Sequence, residues 1–123
     1  MTKEELKNRT QTFHIAVIKA CEQLPRNAAG FEMAKQVIRS AGSVGANYRA
    51  TQRAKSAPDF INKLKIVEEE ADESHFFLEL IQDITMIEQI GLNSEIEFLL
   101  KEANEITAII VSSLKTARIN NSK

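Results

Sequence analysis

Eleven residues in the middle of the chain, Arg39-Ser40-Ala41-Gly42-Ser43-Val44-Gly45-Ala46-Asn47-Tyr48-Arg49, carry little side-chain bulk yet sit inside a helical pattern. Glycine costs a helix interior roughly 1 kcal/mol relative to alanine. Gly42 and Gly45 within one turn therefore make sense where another backbone comes close. The stretch predicts a tightly packed helix bracketed by Arg39 and Arg49. The rest of the chain agrees: only two prolines and four glycines occur in 123 residues. Abundant Ala, Leu, Ile, Glu and Lys favour helix over sheet.

Four helices follow from the spacing of apolar residues. The first is predicted from about Lys3 to Gln23, opened by a Thr2/Glu5 capping box and stopped by Pro25. Its seam is Leu6, Thr10, Phe13, Val17, Ala20 and Leu24. The second spans about Gly30 to Ala54, with a seam of Phe31, Ala34, Ile38, Ala41, Gly45 and Tyr48, widened by Val37 and Val44. The third, from about Pro58 to Gln89, is on the order of 48 Å long at 1.5 Å per residue. The fourth starts after Gly91, a candidate left-handed stop, and is capped by Asn93 or Ser94. It is expected to run to about Ala117, along Leu99, Ala103, Ile106, Ile110, Ser113 and Ala117. The expectation is an all-α single domain over residues 1–119, with a frayed tail at 120–123. Short turns favour an antiparallel up-down-up-down four-helix bundle. The other arrangement these elements allow is an open array that completes its core only by dimerising.

The third helix has two apolar stripes. Phe60, Leu64, Val67, Ala71, Ser74, Leu78 and Ile81 suit a bundle core. Ile66, Phe77, Leu80, Ile84 and Ile87 form the second, with Glu70 and Glu73 in the same line. A second stripe needs another helix or a neighbouring subunit, so these five residues are the expected oligomer interface.

Net charge is −1, but it is unevenly spread. Residues 26–55 hold six basic groups and one acidic group, whereas residues 56–102 hold three basic and twelve acidic groups. This argues against a generally basic nucleic-acid binder but leaves room for a local basic patch. The lone cysteine, Cys21, allows no internal disulfide and fits a reducing compartment. No signal peptide and no bilayer-length apolar run is visible, so a cytoplasmic protein without membrane association is expected.

Together with Glu70-Ala71-Asp72-Glu73-Ser74-His75-Phe76-Phe77-Leu78-Glu79-Leu80, the stretch from Arg39 to Ala50 resembles the two signatures of the bacterial four-helix-bundle proteins. These proteins are often encoded by intervening sequences of 23S ribosomal RNA genes. The resemblance spans nearly the whole chain in length and order of elements. It implies an antiparallel four-helix bundle and a ring-shaped homopentamer. It also implies similarity to the accessory protein of diversity-generating retroelements, a pentameric barrel that associates with nucleic acid and a reverse transcriptase. It names no reaction. An aromatic pair that is often tyrosine then tryptophan in that family is Phe76-Phe77 here, which lacks a polar handle.

The residues offer few chemical sites. Asp72-x-x-His75 occurs once, and His14 has Gln11 at the matching position. That is too few ligands for a di-metal bundle, so neither a metal nor a cofactor is expected. Ser40, Ser43 and Ser74 lack the strand-turn-helix setting of a nucleophile, and nothing points to a small-molecule substrate. Glu70 and Glu73 on an apolar stripe need a cation, and Arg39 is the expected partner. Lys35, Arg49, Arg53 and Lys55 remain as the candidate nucleic-acid contacts. The functional expectation is a non-enzymatic scaffold, a homo-oligomer and most simply a pentamer, associated with RNA or DNA. The alternative is a protein–protein adaptor that binds no nucleic acid.

Overall fold

A computed structural model describes all residues from Met1 to Lys123. It contains four helices and no strand: α1 (Lys3–Cys21), α2 (Ala28–Thr51), α3 (Ala57–Ile87) and α4 (Asn93–Asn121). α1 packs on α2, α2 on α3, α3 on α4, and α4 closes back on α1. No helix is long and apolar enough to cross a membrane.

Three of the four helix starts are set by side-chain caps. Thr2 accepts from the Glu5 amide while Glu5 reaches back to the Thr2 amide, completing the capping box. Asn27 accepts from Gly30 N, and Ser56 accepts from Asp59 N with Pro58 in the first turn. The Asp59 carboxylate also accepts from the Lys55 amide at 2.9 Å and from Lys63 at 2.7 Å. These bonds hold its carboxyl below the usual range, the Lys63 contribution being largest.

The α3–α4 corner departs from expectation. The left-handed residue is Gln89, with φ of 56°, and not Gly91. Ile90 N bonds Thr85 O at 2.8 Å and Gln89 N bonds Met86 O at 3.3 Å, which is the Schellman pattern. The position one residue past the cap decides the left-handed site, and it carries glutamine here. Neither Asn93 nor Ser94 caps α4. Leu92 occupies the cap position with no side-chain cap bond and is fully buried. Burial of a leucine outweighs a cap worth about 1 kcal/mol. At its far end α4 continues through Asn121, past the predicted Ala117, leaving only Ser122 and Lys123 beyond it.

The core is one cluster drawn from all four helices. α1 contributes Leu6, Phe13, Val17 and Ala20, and α3 contributes Leu64, Val67, Ala71, Leu78 and Ile81, along the predicted seams. α2 is turned relative to expectation. Its inward line is Gly30, Val37, Ala41, Val44, Tyr48 and Thr51, while Phe31 is 62% exposed. Gly30 takes the inward place in the first turn because the Pro25 carbonyl oxygen lies where a Cβ would go. Gly42 and Gly45 face α1, where His14 and Thr10 approach them. Residue numbers run in opposite senses across that seam, Thr10 against Gly45 and His14 against Gly42.

Candidate nucleic-acid interface

α2 presents arginines in two different settings. Arg39 is engaged by α3: its Nη1 lies 3.2 Å from Glu70 Oε2 and its Nη2 2.7 Å from Glu73 Oε1. The hydrogen bond that Arg39 donates to Glu73 raises the guanidinium pKa above its already high value, with Glu70 adding to it. One seam inward, Ser74 Oγ donates to Ser40 Oγ at 2.9 Å, so both buried hydroxyls are used.

Arg49 and Arg53 have no carboxylate partner and are exposed. Beside them α1 adds Lys7, whose one carboxylate neighbour is the exposed Glu4 at 4.0 Å. A groove of about 250 Å³ is lined by Lys7, Thr10, Gln11, His14, Gly42, Gly45, Ala46 and Arg49. A second groove of about 250 Å³ shares Lys7 and Arg49 with the first and adds Tyr48, Gln52 and Arg53. No carboxylate lines either.

The other two candidate contacts stand apart. Lys35 is exposed on the same helix, but 14 residues before Arg49, roughly 21 Å along the axis. Lys55 follows the helix end, and it is its amide that binds Asp59. The structure thus groups Arg49 and Arg53 with Lys7, a residue outside the predicted set. Its trace in the sequence is the polar run Lys7, Gln11 and His14, which lies beside the seam Leu6, Thr10 and Phe13. Assigning that run to the α2 glycines requires the α1–α2 register.

Other ionisable side chains are paired or shielded within the fold. On the opposite flank of α1, Arg9 bonds Glu102 through Nε at 2.8 Å and Nη2 at 2.7 Å, and also reaches Glu105. The Arg9 hydrogen bond holds the Glu102 carboxyl below its ordinary range against the opposing effect of burial. His75 Nδ1 lies 3.1 Å from Glu79 on its own helix. Burial pushes the Cys21 thiol up to about 11, so the reactive thiolate is scarce near neutral pH.

The second α3 stripe lies next to the Arg39–Glu70–Glu73 bridge. Ile66 is 41% and Ile87 80% exposed, whereas Phe77, Leu80 and Ile84 are half-buried. Phe76, also exposed, meets Phe77 edge-on with ring centroids 5.2 Å apart.

Residues 3–112 match the profile of the 23S rRNA-intervening sequence protein family. The chain belongs to this family. A solved structure agrees: a protein of unknown function from the S23 ribosomal protein family of Bacteroides thetaiotaomicron superposes with a TM-score of 0.79 at 30% identity. The match covers 94% of this chain and 99% of that one. No curated protein matches. Both stretches that carried the resemblance fall inside the matched span: Arg39 to Ala50 on α2 and Glu70 to Leu80 on α3. They meet in space through the Arg39 and Ser40 contacts to Glu70, Glu73 and Ser74.

Proposed function

We propose that this protein is a non-enzymatic scaffold: an antiparallel four-helix bundle that assembles into a ring-shaped homopentamer and associates with RNA or DNA along the α1–α2 edge. One observation carries the nucleic-acid part. On a chain with net charge −1, Arg49 and Arg53 stay without carboxylate partners while Arg39, on the same helix, takes two. Unpaired arginines beside a carboxylate-free groove suit phosphate oxygens, which accept charge-assisted hydrogen bonds. Repetition of a modest patch around a ring raises its avidity without any new contact. The ring itself is supported by the exposed part of the α3 stripe, Ile66 and Ile87 above all, since apolar stripes on a helix are normally covered. Opposed numbering across the α1–α2 seam and the short connections between helices support alternating helix directions. The non-enzymatic reading is supported by the side-chain contacts: Ser40 and Ser74 bond each other, His75 faces Glu79, and His14 faces Gly42.

The test joins stoichiometry to salt dependence. Native mass spectrometry with and without nuclease is expected to show five subunits and retained nucleic acid that nuclease removes. Binding to structured RNA should fall steeply with salt and drop on Arg49→Glu with Arg53→Glu. Equal binding by that double variant at low salt rejects the surface, and a strictly solitary folded chain rejects the ring. A protein–protein adaptor is the second reading, favoured by the exposed acidic groups Glu69, Asp72, Glu79 and Asp83 on α3. It predicts a stoichiometric protein partner that survives nuclease treatment.

A further inference from the structure

His14 poses a physical question that the interface leaves open. Its Nε2 is buried and has no hydrogen-bond partner. Buried polar atoms without partners are rare and costly. The ring sits where it does because Gly42 lacks a Cβ: an added Cβ would fall 2.9 Å from both Cε1 and Nε2. The chain thus carries a helix-weakening glycine and an unsatisfied nitrogen in order to lay an imidazole along one wall of a groove. The other walls carry Lys7 and Arg49. The amides of α2 are bonded within the helix, so any ligand in the groove must be held by side chains.

We propose that the groove between α1 and α2 is a phosphate subsite, in which Lys7 and Arg49 hold the anion between the two helices and His14 and Gln11 complete its polar wall. Three observations converge on an anion: two cations from different helices, no lining carboxylate, and open space between them; the His14 ring flanks that space with its Nε2 covered against Gly42. The volume of about 250 Å³ equals roughly eight waters at ~30 Å³ each, room for a phosphate group and its remaining hydration. Arg53, in the adjoining groove, gives a following phosphate of the same strand a second contact. The subsite deepens the nucleic-acid reading and rests on it for the source of the phosphate. A free nucleotide carries the same chemistry.

The decisive experiment titrates the intact protein with inorganic phosphate, a nucleoside monophosphate and a single-stranded RNA oligonucleotide. Amide and imidazole NMR shifts are followed, and RNA affinity is measured in parallel for Lys7→Gln, Arg49→Gln and Lys115→Gln. The expected result is that the shifts concentrate at Gly42, Gly45 and the His14 ring. Lys7→Gln and Arg49→Gln should each weaken RNA binding about tenfold and lower the salt slope by about one. Lys115→Gln, on exposed α4 surface, should change neither. RNA binding that is unchanged in the Lys7 and Arg49 variants, with the Gly42 and Gly45 amides unmoved, overturns the subsite and leaves the nucleic-acid reading standing on other cations. Shifts produced by inorganic phosphate or the nucleotide without any oligonucleotide binding uphold the subsite and reject the nucleic-acid reading. No shift with any of the three rejects the subsite.

Discussion

The two flanks of α1 solve the problem of polar contact in opposite ways. Toward α4, Arg9 sits between Glu102 and Glu105, and its guanidinium is engaged by both. Toward α2, Lys7, Gln11 and His14 line a groove with two glycines and an unpaired arginine, and no carboxylate lines it. One flank behaves as a clasp and the other as an opening. The same contrast recurs along α2, where Arg39 is spent on α3 and Arg49 is not. Charge that is paired inside the fold contributes to its stability; charge kept apart from partners is available for something outside it. A small protein with near-zero net charge can therefore still offer a cationic edge, provided that its carboxylates are placed on other seams.

Breaking the α1–α2 flank at its turn is expected to have the largest effect. In Gly30→Ala the new Cβ meets the Pro25 carbonyl oxygen, a backbone atom that cannot swing aside. A loss of about 3 kcal/mol is expected in urea unfolding, with the α1–α2 groove distorted as well. A fully stable Gly30→Ala would show that the turn is not what holds α1 against α2.

The α4 flank comes next. Arg9→Met leaves Glu102, whose side chain is 15% exposed, without its cation. A loss of about 1.5–3 kcal/mol at neutral pH is expected. The sign of the pH effect follows from Glu102. Arg9 holds its carboxyl below the ordinary value, so the native pair contributes stability above the unfolded carboxylate pKa of about 4.3. That contribution is lost as pH falls through the lower folded value. Arg9→Met should therefore narrow its deficit relative to the native chain as pH drops from 7 to 3, which denaturant midpoints at the two pH values will show. A constant deficit would mean that the clasp acts through packing alone.

The smallest effect is also the sharpest probe of the opening. At Gly45 a Cβ would sit 3.4 Å from Thr10 Oγ1, an ordinary contact, whereas at Gly42 it collides with the His14 ring. Gly45→Ala should gain about 0.5 kcal/mol from helix propensity. Gly42→Ala should lose about 1 kcal/mol, because the imidazole must move. In a His14→Ala background the Gly42→Ala change should become stabilising. Thermal melts of the four variants suffice, and equal effects at the two glycines would remove any special fit between Gly42 and His14.

Much of the fold is legible in the sequence. Periodicity located all four helices because apolar residues at spacings of three and four recur without interruption. The α1 seam emerged because it has one bulky line with polar residues beside it, and the α3 seam because Leu64, Val67, Ala71, Leu78 and Ile81 keep helical spacing beside a second stripe. α2 was harder, because small residues on several faces blur the phase: the line through Phe31, Ile38 and Gly45 competes with the true line through Gly30, Val37 and Val44. Local signals also failed at Gln89 and Leu92, where tertiary burial and a turn position override residue preference. The pairing sought for Glu70 and Glu73 could be argued from their place on an apolar stripe. The groove could not, since it exists only once Lys7 and Arg49, 42 positions apart in the chain, are brought side by side.

Leu92 has a consequence for how this molecule tolerates change. A helix that begins on a buried leucine, without a capping side chain, is anchored from within, so its first turn and the hydrophobic interior come apart together. Drift at neighbouring Asn93 and Ser94 costs the fold little, whereas a polar replacement at Leu92 loosens α4 at its root. The corner that looks like surface punctuation is in mechanical terms the keystone of the α3–α4 hairpin.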